Sequence, residues 1–172
     1  MQLGQEIAAR GMRLIYGGGC VGLMGVLADA TLAAGAEVIG VIPKALLERE
    51  VGHLGLTQLS VVESMHQRKA QMAELADAFL ALPGGFGTLE EFCEVLTWVQ
   101  LGIHNKPCGL LSTRGFYDPL LAMFDRAVAD HLLKPAIRNL VLVESEVSRM
   151  LDRLAAAKPS STREFWFEKD QT

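Results

Sequence analysis

Three stretches of the sequence combine residue types and spacings that could do chemistry. The run Leu82-Pro83-Gly84-Gly85-Phe86-Gly87-Thr88-Leu89-Glu90-Glu91 reads as a strand end, a glycine turn and a helix starting near Thr88. Backbone N–H groups from Gly85 to Thr88 can then converge on an anion at the positive end of the helix dipole, and the space suits one phosphate. Glu91 has two readings. Three residues after Thr88 it can close a capping box and satisfy a backbone donor. Turned toward a sugar rather than the phosphate, its carboxylate can stabilise positive charge and activate water. Glu90 is rotated about 100° from it round the helix, so the two do not form a facing acid–base pair.

The second stretch is Tyr16-Gly17-Gly18-Gly19-Cys20-Val21-Gly22-Leu23-Met24-Gly25, in which Gly17, Gly19 and Gly22 satisfy G-x-G-x-x-G between a strand and a helix. The next strand ends Val41-Ile42-Pro43-Lys44, without the acidic residue that would hold a ribose hydroxyl of NAD. Leu23 and Met24 stand where a P-loop carries Lys and Ser/Thr, so triphosphate hydrolysis finds no support. Close packing of helix on strand is the other reading of these glycines. The third stretch, Ser64-Met65-His66-Gln67-Arg68-Lys69, opens with a capping box between Ser64 and Gln67. Met65, Met72 and Leu75 set an apolar stripe that includes Arg68, and a guanidinium there needs an anionic partner or a route to water. His66 falls off the stripe. His53, His104 and His131 have no ligand spacing, so no metal is expected.

These residues need elements to hold them. Strands are expected at Met12–Tyr16, Val38–Ile42, Gln58–Val62, Ala78–Leu82, Cys108–Ser112 and Leu140–Val143, most of them apolar on both faces as in a covered parallel sheet. Helices fit between them over Gly22–Ala34, Met65–Ala76, Leu89–Leu101, Pro119–Leu132 and Glu146–Ala157. The expectation is an α/β fold, a doubly wound Rossmann-like parallel sheet in a single domain over 1–158, followed by a tail at 159–172 with Phe165, Trp166 and Phe167. Ligands of such sheets sit at the carboxyl ends of the strands. The connection Lys44–Thr57 is long enough to be a lid or binding loop. Leu3, Ile7 and Arg10-Gly11 read as the middle and end of a helix, so the first strand of the fold is expected to be missing from the chain.

The 172 residues carry 16 Lys+Arg against 20 Asp+Glu, a net charge of −4 with no block of one sign. That argues against a nucleic acid or an anionic membrane surface as partner. The longest run without a charge, Leu14–Ala28, has 15 residues and five glycines, too short and too glycine-rich to span a membrane. Cys20, Cys93 and Cys108 lack the number and spacing of a disulfide framework or zinc site, and the N-terminus has Glu6 and no apolar run that could be a signal-peptide core, so export is not expected. A cytoplasmic location is expected.

Taken together, Tyr16-Gly17-Gly18-Gly19 with Gly22-Leu23-Met24-Gly25, then Met65-His66-Gln67-Arg68-Lys69, then Pro83-Gly84-Gly85-Phe86-Gly87-Thr88-Leu89-Glu90-Glu91 resemble, in order, the motifs of the Lonely Guy (LOG) family of cytokinin riboside 5′-monophosphate phosphoribohydrolases. The resemblance runs from about Leu3 to Leu154. It implies a Rossmann-like homodimer or higher homo-oligomer that hydrolyses the N-glycosidic bond of N6-substituted AMP, without a cofactor. It also implies that Arg68 and Glu91 are the catalytic pair and that Gly84, Gly85, Gly87 and Thr88 cradle the phosphate. Met65, Lys69, Gly18 and Gly19 would line the substrate site. A departing purine leaves an oxocarbenium-like ribosyl cation, which a carboxylate can stabilise. Arg68, always protonated, suits electrostatic positioning better than proton donation. The same family has been labelled lysine decarboxylase, yet none of the six lysines sits in a pyridoxal-phosphate framework. A non-catalytic nucleotide or cofactor carrier of the same fold is the alternative.

Overall fold

A computed structural model of the chain describes residues 1–47, 49 and 52–157. In chain order these form α1 (Gln2–Ala9), β1 (Leu14–Tyr16), α2 (Leu23–Ala33), β2 (Val38–Pro43), α3 (Lys44–Leu47), β3 (Gln58–Val62), α4 (Met65–Leu75) and β4 (Phe79–Ala81). They continue with α5 (Phe86–Gln100), β5 (Cys108–Leu111), a 3-10 turn (Thr113–Gly115), α6 (Asp118–Ala129), α7 (Pro135–Arg138), β6 (Val141–Glu144) and α8 (Val147–Ala156). All six expected strands and five expected helices are present. The expected aromatic tail lies outside the described residues. The short α7 escaped the periodicity, although Pro135 at its first position is a helix-start signal.

The chain divides into two compact units, Met1–Ala76 and Asp77 onward. In the first, three parallel strands pair in the order β1-β2-β3, with Tyr16 opposite Gly40 and Ile39 opposite Gln58. The central strand, Val38-Ile39-Gly40-Val41-Ile42-Pro43, is buried along its whole length, as its run of β-branched residues requires. Tyr16 and Val38 pack with Ala28 of α2, and α1 packs on α2 in turn. Gly17, one residue on from Tyr16, turns instead toward α4. Successive positions of a strand point to opposite faces, so the sheet is covered on both. Residues 2–9 form a helix and supply no strand, as their sequence implies; β1 is an edge of its sheet among the described residues.

The second unit repeats the design with parallel strands in the order β4-β5-β6. Cys108 and Leu110 of β5 share a core with Phe92 and Val99 of α5 and with Tyr117. Between them Gly109 faces α8, so closely that a Cβ there would stand 2.6 Å from the Met150 sulfur. The alternation makes the sheet doubly wound. The apolar stripe of α8, Met150, Leu151 and Leu154, is buried, each such side chain contributing about 1.5–3 kcal/mol.

All three cysteines are free, with Cys20 and Cys93 exposed and Cys108 buried in the second core. Burial pushes the Cys108 thiol up to about 12. Burial and the nearby Glu90 also raise the Cys93 thiol. In the folded protein at pH 8, two thiols should therefore react with an aromatic disulfide reagent, and the third only in denaturant. Three fast equivalents without denaturant would contradict this packing of β5.

Candidate functional site

The chain leaves β4 through Leu82 and Pro83 and enters α5 at Phe86, with Gly85 as N-cap. The helix thus starts two residues before Thr88, which is its third residue and no cap. Leu89 N–H donates to the Gly85 carbonyl at 3.1 Å, the first bond of the helix, and the N-cap residue makes no side-chain bond to the amides ahead of it. A glycine N-cap has no oxygen to offer them, so the positive end of a 15-residue helix opens outward.

The glycines of this turn divide into two kinds. At Gly84 a Cβ would lie 2.2 Å from Thr88 Oγ1, because the Thr88 side chain folds back over it. At Gly85 and Gly87 a Cβ would meet nothing within 4 Å, and neither residue has positive φ. Glycine is an ordinary N-cap, which accounts for Gly85, but nothing inside the fold requires glycine at Gly87, where it costs about 1 kcal/mol relative to alanine. The physical reason left is the approach of an outside group to the backbone.

Glu91 is the sixth residue of α5 and half-buried beside Phe92. The capping reading requires Thr88 at the N-cap, and with Thr88 inside the helix that reading falls. What misleads is the glycine run, whose low helix propensity hides a helix that has already begun.

At the first turn Gly18 has φ 76°, and the space beside it is closed by Leu59 and Ile42. A Cβ on Gly17 would stand 2.0 Å from Arg68 Nη2 and 2.8 Å from Cζ. Arg68 is the buried residue of α4, 7% exposed, and its guanidinium lies across Gly17 with Nη1 3.7 Å from Met65 Sδ. Ser64 caps α4 by accepting from Gln67 N–H at 3.2 Å. The Gln67 side chain returns to Glu63 N–H at 2.9 Å instead of to Ser64, so the expected box closes one residue early. Met65 is exposed, not on the apolar stripe expected for it, and Lys69 is half-buried.

Sequence reasoning missed how the connection after α3 is tied down. Gly52 bridges Gly19, His53 N–H donates to the Gly18 carbonyl at 3.0 Å, and His53 Nε2 meets Asp29 Oδ1 at 2.9 Å. Because His53 Nδ1 accepts from Gly55 N–H, Nε2 carries the proton toward Asp29. Tyr16 completes this corner. Its hydroxyl is buried without a hydrogen-bond partner among the described residues, and burial, then Cys20 and Asp29, push it up to about 12. In the second unit burial and Lys106 lower His104, a neutral ring packed 5.1 Å from Phe79. Among the described residues no group of three or more His, Cys, Asp or Glu could hold a metal, and no helix is long and apolar enough to cross a membrane.

Parallel sheets with helices on both faces and glycine turns at the carboxyl ends of their strands define a Rossmann-like α/β protein. A family model described as possible lysine decarboxylase matches residues 24–154. The chain is 49% identical over 154 residues to the probable cytokinin riboside 5′-monophosphate phosphoribohydrolase LOGL1 of Oryza sativa subsp. japonica, covering 90% of this chain and 69% of the relative. It is 46% identical over 154 residues to cytokinin riboside 5′-monophosphate phosphoribohydrolase LOG1 of Arabidopsis thaliana, covering 90% and 72%. The chain belongs to this LOG family. The fold is shared with the molybdenum cofactor carrier protein of Chlamydomonas reinhardtii, at a TM-score of 0.67 and 23% identity over 91% of this chain and 85% of that one.

The two turns differ in what they tolerate. Gly17→Ala drives a methyl group into the guanidinium and should lower stability by about 1–3 kcal/mol. Gly87→Ala puts a better helix former where the methyl meets no atom, and should raise stability by up to about 1 kcal/mol. Urea unfolding of both variants beside the parent checks the contrast.

Proposed function

We propose that this chain hydrolyses the N-glycosidic bond of N6-substituted adenosine 5′-monophosphates, giving the free base and ribose 5-phosphate. The observation that carries the reading is the start of α5, where the N-cap Gly85 offers its amides no side chain and Gly87 is a helical glycine without an internal purpose. The activity for which relatives at 44–49% identity are named supports it.

In this reading the amides of residues 85–88, with Thr88, take the 5′-phosphate, an anion matched to the helix dipole. Gly18 and Gly19, with Met65 and Lys69, line the substrate. As the bond from C1′ to the purine nitrogen lengthens, positive charge grows on the ribosyl carbon and negative charge on the base. The Glu91 carboxylate stabilises the first and takes a proton from the attacking water, whose oxygen bonds to C1′. Arg68 holds the nucleotide in register and offsets the second. The base leaves with the glycosidic electron pair and a proton delivered through solvent.

The exposed Val21, Leu23, Met24 and Val26 along the start of α2 support self-association, and three free thiols suit a cytoplasmic location. Decarboxylation of lysine is not favoured. None of the described lysines, Lys44, Lys69, Lys106 and Lys134, is buried, whereas a Schiff-base lysine is activated by desolvation. A carrier without turnover would share the fold, but the relatives at 44–49% identity are named as hydrolases.

Free base released from N6-isopentenyl AMP, plain AMP and the N6-isopentenyl riboside tests the proposal. The monophosphates should be turned over, and the riboside should have a kcat/KM lower by roughly 10²-fold or more, since phosphate binding energy is lost. Equal turnover of riboside and monophosphate would contradict it. Glu91→Gln should keep the parent melting temperature and lose roughly 10²-fold or more in kcat. Activity within a few-fold of the parent would remove Glu91 from the chemistry.

A further inference from the structure

Tyr117 is 1% exposed and heads the fully buried large side chains. Its ring sits in the second core with Ala81 and Phe92, edge-on to Phe116 at 5.0 Å. Its hydroxyl crosses 35 residues of sequence to donate to the Leu82 carbonyl at 2.5 Å. Burial raises the phenol, so it remains a donor through neutral and mildly alkaline pH. Leu82 is the residue that hands β4 to Pro83-Gly84-Gly85.

The backbone beneath Tyr117 is fastened with equal care. Tyr117 N–H donates to Ser112 Oγ at 3.0 Å, and that hydroxyl donates to Asp118 Oδ1 at 3.3 Å. Ser112 N–H donates to the Glu144 carbonyl at the end of β6, at 2.8 Å. Between Ser112 and Tyr117 the chain turns through two successive left-handed residues, Arg114 at φ 55° and Gly115 at φ 73°. A non-glycine residue in that region costs roughly 1–2 kcal/mol, and such strain persists where the surroundings over-determine it.

We propose that Tyr117 is a positioning residue for the phosphate turn, a strut that sets the turn's height and direction from β6 through Ser112. The proposal rests on the reading that this turn takes the phosphate. The mechanism is geometric. The Leu82 carbonyl lies in the planar peptide that joins it to Pro83. Proline fixes its own φ near −65°, so the orientation of that carbonyl passes almost rigidly to Gly84 and the amides beyond. Without the hydroxyl, the carbonyl loses its partner and the peptide plane can rotate.

The test compares Tyr117→Phe with the parent. The ring, and with it the core, is retained while the strut is cut. Titration calorimetry with ribose 5-phosphate should give a Kd about tenfold weaker, as expected when a preset turn must be reordered on binding. With N6-isopentenyl AMP, KM should rise by a similar factor while kcat stays within about threefold, and the preference for monophosphate over riboside should shrink. A merely structural role would lower the melting temperature and leave the Kd and that preference in place. A folded Tyr117→Phe that binds ribose 5-phosphate within about twofold of the parent overturns the proposal. Should that variant fail to fold, Ser112→Ala weakens the same strut at its base and should shift the Kd in the same direction. Binding by the parent without base release counts against the hydrolase reading alone, because the Tyr117 comparison is then decided by binding.

Discussion

Arg68 lies where a β-carbon on residue 17 would otherwise stand. A guanidinium at 7% exposure must exchange its water for polar or charged partners, and its fit over Gly17 must leave no clash. The requirement reaches outward through the first unit. β1 has to end at Tyr16 so that the next residue can be glycine, and α4 has to begin at Met65 so that its fourth residue, Arg68, faces that glycine. The cap at Ser64 and the return of Gln67 to Glu63 fix that helix start. On the opposite face Tyr16, Ala28 and Val38 close the core.

The start of α5 uses missing β-carbons in the opposite sense. Around Gly17 and Gly109 the freed space is filled by Arg68 and Met150, whereas beside Gly85 and Gly87 it stays open. A helix start without a capping side chain and with glycine in its first turn gives up stability that a Ser or Asp cap and an alanine would supply. An anion bound there returns it as ligand-dependent stability. Stability is therefore spread unevenly over the turn, with the rigid part behind it in Tyr117, Ser112 and β6 and the open part facing outward.

Much of this could be read from the residues. Alternating apolar runs and helical periods located every strand and the five longer helices between them, since burial on both faces leaves a strong pattern. The glycine turns and the buried place of Arg68 were legible too. Legibility failed where a signal was local and its competitor was not. Thr88 and Glu91 spell a capping box, yet α5 starts at Phe86 with Gly85 as its N-cap, which leaves Thr88 inside the helix. Met65 was set on the apolar stripe, but it stays exposed with its sulfur beside the Arg68 guanidinium, and Arg68 is the buried residue of the helix. Tyr117 and Leu82, like Asp29 and His53, meet only in the fold, and neither pair leaves a trace in spacing.

The central claim is that the outward-facing amides at the start of α5 receive a phosphate, and amide NMR addresses it most directly. On titration of the ¹⁵N-labelled protein with ribose 5-phosphate, the amides of Gly85, Phe86, Gly87 and Thr88 should show the largest shifts, moving downfield together as they begin to donate to the anion. Shifts centred on another part of the chain, or none at saturating ligand, would contradict the account.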